Sequence, residues 1–286
     1  MTPTLAQPRP PRAGATARVD RCARARDWAE IQERMLVPLY EAVYERLEVD
    51  DRTRLLGLGC GSGLALLMAA ARGASVTGVD SSAPERLALA RERLLPESDW
   101  GTRPRGDTRL VEGGPADVSE PDLPAYNLVT AFQPIGCTAG DSEGLSALLE
   151  SATPLAARGT PVVLAGWGPP ERCTTSSVLK VATKLADPLR STGSWRPALR
   201  DDLEEVAQRA GLKPDGSGRV ACPFGYADTE SAVRGLLSTG LFDAAVSATD
   251  LAQVEKELTE ALHPHQRGDG TVWMPNVFRY LIARTR

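Results

Sequence analysis

The chain has 286 residues, 42% of them hydrophobic and 24% charged, with a formal net charge of −4. That is material for one α/β domain with a small lid, and its acidic balance argues against a nucleic-acid partner, which calls for a basic face to meet phosphates. The five scattered cysteines form no Cys-x-x-Cys pair and read as free thiols of a reducing compartment, and no apolar run is long enough for a bilayer span or a signal peptide, so a cytoplasmic protein with no membrane partner is expected.

Residues 1–25 are rich in Pro, Arg, Ala and Thr and carry no apolar period; a disordered tail is expected there, with the folded domain over 26–286. From Asp27 the pattern turns helical. Trp28, Ile31, Met35, Leu36, Leu39, Tyr40, Val43 and Leu47 recur at mostly helical spacings, and Pro38 should divide the stretch into two helices. Apolar runs over 54–58, 74–79, 108–112, 126–132 and 161–167 read as strands, alternating with helices over 64–72, 82–95 and 145–157. Such alternation implies a parallel sheet covered on both faces. The last third predicts helices over 174–186, 199–210, 229–238 and 250–262, with strands over 217–222 and 272–283. The fold class expected is α/β, a Rossmann-like, seven-stranded, mostly parallel sheet with helices on both faces. Segments 169–200 and 227–270 are long enough to add a helical lid, jointed by Pro188, Pro197 and Pro223. A lid favours a small, enclosed substrate.

The most informative segment is Gly57-Leu58-Gly59-Cys60-Gly61-Ser62-Gly63, between the first strand and the first helix after it. Glycines there let the backbone turn tightly and let a ligand approach the main chain. In an open parallel sheet, ligands lie beyond the carboxyl ends of the strands. Dinucleotide sites want G-x-G-x-x-G, but the third position is Leu64 counted from Gly59 and Ser62 counted from Gly57. The pattern present is G-x-G-x-G, the form used for S-adenosylmethionine. Asp80 closes the second strand, where a carboxylate can accept hydrogen bonds from a ribose diol; it can equally be the N-cap of the next helix.

With these pieces in order, the chain from about residue 27 to 283 resembles a class I S-adenosylmethionine-dependent methyltransferase. It is most similar to a bacterial small-molecule subfamily related to the ubiquinone and menaquinone methylases. The matching stretches are LLGLGCGSGLAL, VTGVDSS, LVEGGPAD, YNLVTAF, PLAARGTPVVLAGWG and NVFRYLIA. The resemblance implies methyl transfer to a small molecule; a place in natural-product metabolism and a monomer or homodimer are expected. It implies that Gly59, Cys60, Gly61 and Gly63 lie against the methionine part of the cofactor, Asp80 against the ribose and Ser81 beside the adenine. Pro115 and Ala116 would edge the adenine, and Phe132 and Gln133 would sit near the sulfonium. Cys60 reads as a small turn residue, not a nucleophile.

Two departures matter. The family carries an acid where this chain has Gly57, a group that helps hold the amino end of the cofactor. Glu30 or a water is the substitute the sequence offers. The family's aspartate is replaced by Asn127. The lost acid leaves open a repurposed enzyme that closes a ring without methylating, or a non-catalytic binding module. Base candidates are few. His263 and His265, the only histidines, follow a lid helix and read as a surface loop, an active-site rim or two metal ligands short of a site. Tyr40, Trp28 and Glu30 precede the first strand, where core packing competes with a role at the substrate. Trp167 ends the fifth strand and should face the pocket mouth.

Overall fold

The computed structural model describes residues 20–95, 107–118, 125–137, 140–186 and 202–286. The expected tail up to residue 19, together with Pro188 and Pro197, lies outside the described residues. The tail does not extend to residue 25. The Asp20 carboxylate accepts from the N–H groups of Cys22 and Ala23 at 3.0 and 3.1 Å and starts α1 (Arg21–Asp27). Sequence gave no sign of this helix because it buries one small residue, Ala25, and no apolar stripe. Hydrogen bonding then passes through a π-type turn at Trp28–Gln32 and a 3-10 turn at Glu33–Leu36 into α2 (Val37–Arg46). Pro38 sits in the first turn of α2, where its missing N–H costs nothing, so it opens the second helix as expected.

The alternating elements follow: β1 (Arg54–Leu58), α3 (Leu64–Ala70), β2 (Ser75–Asp80), α4 (Pro84–Leu94), β3 (Thr108–Glu112), β4 (Leu128–Ile135), α5 (Asp141–Ala152) and β5 (Pro161–Trp167). After them come α6 (Thr175–Ala186), α7 (Asp202–Arg209), β6 (Lys213–Ala221), β7 (Phe224–Tyr226), α8 (Thr229–Ser238), α9 (Asp243–Ala248), α10 (Leu251–Leu262), β8 (Val272–Met274) and β9 (Val277–Arg284). The main sheet has seven strands in the order β3-β2-β1-β4-β5-β9-β6. Only β9 runs against its neighbours, so the expected mostly parallel sheet is present. Strand residues alternate between two cores: Val163 and Ala165 join the cluster with α2, α3 and the lid helices, while Val162 and Leu164 join that with α5 and α7.

The expected last strand is two strands. Pro275 has no N–H to continue a ladder. Buried Asn276 turns the chain, accepting from Thr175 N–H at 3.1 Å and donating to Thr175 Oγ1 at 2.9 Å. β8 therefore pairs with β7 in a small second sheet. Beside that sheet α6, α8, α9 and α10, which fall within the segments 169–200 and 227–270, pack against one another. No helix among the described residues is long and apolar enough to cross a membrane.

Gly57 and Gly78 are direct partners across β1 and β2. A Cβ at Gly57 would stand 2.8 Å from Leu66, and one at Gly78 2.5 Å from the same side chain. The two glycines form a notch that lets α3 lie close on the sheet. A side chain at Gly57 would require Leu66 to shift.

Candidate functional site

The loop after β1 turns through three left-handed glycines, Gly59, Gly61 and Gly63, with φ of 60, 56 and 80°. Such values favour glycine, which has no Cβ to clash. Asp80, 5% exposed at the end of β2, fastens the loop: its Oδ2 accepts from Gly61 N–H at 2.9 Å. Its Oδ1 accepts from the N–H and hydroxyl of Ser82 at 2.8 and 2.7 Å. The N-cap of α4 is Ala83, so Asp80 does not cap that helix. A carboxylate offers about four acceptor positions, and three are used inside the protein. One remains on Oδ2, and rotation of the Ser82 hydroxyl frees a second.

An acid that the sequence reading missed stands over this loop. Glu33, 3% exposed, accepts through Oε2 from the Ser62 hydroxyl and from Arg93 Nη1, the latter at 2.9 Å. Arg93 also donates to Ser62 O at 3.0 Å and Ala29 O at 3.0 Å. The network ties the turn before α2 to the glycine loop and to α4. Burial pushes the Glu33 carboxyl above its ordinary range, while Ser62 and Arg93 pull it back. Trp28 lies beside it. Its Nε1 is buried with no partner, and the Arg86 guanidinium stacks 4.2 Å above its ring. Glu30, the substitute sequence offered for the missing acid, is exposed and lines no cavity.

Two cavities meet here. The narrower, about 70 Å³, runs over Gly57–Gly61 and reaches Asp80, Ser82, Glu33, Tyr40, Thr130 and Phe132. The larger, about 320 Å³, lies beyond β4 and β5 between Ile135, Leu145, Trp167, Phe224 and Phe278. Trp28, Leu36, Gly59, Gln133 and Thr239 border both. Trp167, Phe224 and Phe278 pack as one aromatic wall with ring centroids 4.5–6.0 Å apart.

The structure thus brings together Gly59, Cys60, Gly61, Asp80, Phe132, Gln133, Trp28, Tyr40 and Trp167. Gly63 is set one step back, where a Cβ would meet Ala90 at 2.9 Å. Other candidates fall outside. Ser81 is exposed and lines neither cavity; its neighbour Ser82 does. Pro115 is buried in a 3-10 turn after β3 and Ala116 is exposed, and neither lines a cavity. His263 and His265 follow α10 in a short turn packed on β8, with His263 exposed and neither lining a cavity.

Titration argues the same way. Burial, then the nearby Glu33 charge, pushes the Tyr40 phenol well above its ordinary range, so it stays protonated. Burial, then Asp80, pushes the Cys60 thiol up to about 12, which disarms it as a nucleophile. Burial also raises the Cys137 thiol. Asp141, the carboxylate on the larger cavity, accepts from Gly136 and Cys137 N–H at 2.7 and 3.1 Å. Among the described residues no group of three or more His, Cys, Asp or Glu is placed to hold a metal ion.

A ligand with a diol and a charged polar end fits this arrangement. The main chain is open over three glycines, Asp80 keeps acceptor capacity, and a buried indole N–H waits for an acceptor.

No protein-family model matches the chain, and no curated protein sequence matches it. Solved structures do. YjhP from E. coli is 19% identical over 92% of this chain and 99% of its own, with a TM-score of 0.53. YcgJ from Bacillus subtilis is 15% identical over 86% of this chain and 98% of its own, with a TM-score of 0.51. A candidate methyltransferase from Bacillus halodurans C-125 is 15% identical over 85% of this chain and 97% of its own, with a TM-score of 0.50. At these identities the likeness shows the fold, the class I methyltransferase architecture, and no more.

Proposed function

We propose that the protein binds S-adenosylmethionine over the glycine loop and passes its methyl group to a small, largely apolar, uncharged acceptor. The observation that carries this reading is the union of the two cavities: a loop-and-carboxylate cradle opening at Gly59 and Gln133 into an apolar chamber. The sulfonium of the cofactor supplies an activated methyl group, so the protein's work is alignment and exclusion of water. Asp80 takes the ribose hydroxyls. Gln133, at the junction, orients the accepting atom. Trp167, Phe224 and Phe278 hold the acceptor's apolar body.

Acceptor class follows from the lining. Among the described residues of the larger cavity there is no Lys, Arg or His to pair with an anionic group. Nor is there a group poised to remove a proton, since Asp141 is engaged by backbone N–H groups and the Cys137 thiol is raised. This favours an acceptor that reacts through an amine lone pair or an electron-rich carbon. The same lack of a base, with Gly57 in place of an acid, supports a second reading: ring closure of a bound apolar substrate with the cofactor retained. Calorimetry with S-adenosylmethionine and S-adenosylhomocysteine tests the cofactor, and mass spectrometry of apolar amine and arene panels tests transfer. Absence of binding of both compounds sinks both readings. Binding with an isomeric product and no added methyl selects the second.

A further inference from the structure

The loss of the acid at Gly57 leaves the cofactor's amino-acid end without its usual partner, and the turn before α2 presents a replacement. We infer that Trp28 and Glu33 together recognise a zwitterionic α-amino-acid group, the indole N–H taking its carboxylate and the Glu33 carboxylate facing its ammonium.

Both groups converge on one point. Trp28 Nε1 lies 3.4 Å, and Glu33 Oε1 3.6 Å, from where a Cβ on Gly61 would stand. Indole N–H is a donor only, and this one is buried without an acceptor. A buried donor left unpaired is unfavourable, so its natural complement is an acceptor carried in by a ligand. Glu33 is held in place by Ser62 and Arg93 through Oε2 and by the Leu64 N–H, and its Oε1 is the oxygen nearest Gly61. Across the loop, Asp80 Oδ2 is bound to Gly61 N–H, which places diol recognition on one side of Gly61 and the amino-acid end on the other. Charge agrees. Glu33, Asp80 and Arg86 all line the narrow cavity, with Glu33 also paired to Arg93, so both signs of charge are present for a zwitterionic group.

This rests on the S-adenosylmethionine reading, and its test separates the two. Full-length protein and its Trp28→Phe variant are titrated calorimetrically with S-adenosylhomocysteine, which has the amino-acid end, and with 5′-methylthioadenosine, which lacks it. The variant keeps the ring and removes the donor. Expected is a loss of about tenfold or more for S-adenosylhomocysteine, with 5′-methylthioadenosine unchanged within about twofold. Glu33→Gln should likewise weaken the first ligand alone, and a matched melting temperature shows that each variant is folded. Equal affinity of Trp28→Phe for S-adenosylhomocysteine overturns the assignment, as does an equal loss for both ligands. Wild-type protein that binds neither overturns the cofactor reading itself.

Discussion

At the scale of single residues, the side chains of the site divide by what else they hold. Asp80 serves both the ligand and the loop, because the Oδ2 that would face a ribose already anchors Gly61. Asp80→Ala should therefore weaken S-adenosylhomocysteine by roughly tenfold to a hundredfold, the worth of one charge-assisted hydrogen bond at about 1.5–3 kcal/mol. Calorimetry reads this directly; unchanged affinity would remove Asp80 from the ligand. His263 and His265 hold nothing in the cavities. Replacing both with Ala should leave turnover of an identified acceptor within about twofold of wild type, the ordinary effect of surface changes. A large fall in rate, with the melting temperature unchanged, would restore them as acid or base. Sequence named Asp80 because spacing from a glycine loop is a one-dimensional signal. It missed Glu33, which looks like any helical glutamate until folding buries it against Ser62, 29 positions away. It preferred Glu30 for the same reason: within one turn, only the helix phase decides which acid faces inward, and the π-type and 3-10 turns at Trp28–Leu36 shift that phase.

At the scale of elements, the glycines of one loop do different jobs, and substitution should separate them. Gly63 has a φ of 80° and a Cβ there would press on Ala90 of α4 at 2.9 Å. Gly63→Ala should lose about 2–5 kcal/mol of stability, from backbone strain of about 1–2 kcal/mol and overpacking of about 1–3 kcal/mol. Gly61 shares the strain, but its Cβ would meet only Trp28 Nε1 and Glu33 Oε1 at 3.4 and 3.6 Å, in the space assigned to the ligand. Gly61→Ala should lose less stability and more cofactor affinity. Urea denaturation beside calorimetry gives the pair of numbers, and a reversed order would contradict the packing. The strands and helices were legible where period and punctuation agree: β1, β3, β5 and α8 fall where the sequence reading put them. What it lost were elements defined by partners. α1 is held by contacts to α4 and α8, β7 exists only by pairing with β8, and the break at Pro275–Asn276 depends on Thr175 from the other lid segment.

At the scale of the whole molecule, Glu33 couples site and stability. Its folded-state carboxyl titrates above 4.5, its ordinary value, chiefly through burial. A folded-state value above the unfolded one means that, just above pH 4.5, the folded protein binds more protons at this group than the unfolded chain. Stability from this group is therefore full below 4.5 and is lost as pH rises through the raised value, after which it is flat. Carboxylates whose folded-state value is lowered act in the opposite direction and at lower pH, gaining stability as pH rises toward their unfolded value, so the wild-type profile sums this contribution with theirs. Glu33→Gln exposes it. Gln keeps an acceptor for Ser62 and Arg93 but cannot ionise, so the variant should gain on wild type as pH climbs from about 4.5 toward neutrality and hold a constant offset outside that window. Urea midpoints at a series of pH values for both proteins test it, and curves that stay parallel throughout would mean that Glu33 titrates at its unfolded value. A bound cation should pull the same carboxyl back down, so S-adenosylhomocysteine ought to narrow the gap between the two curves. That convergence would tie the stability cost of the buried acid to the ligand it faces.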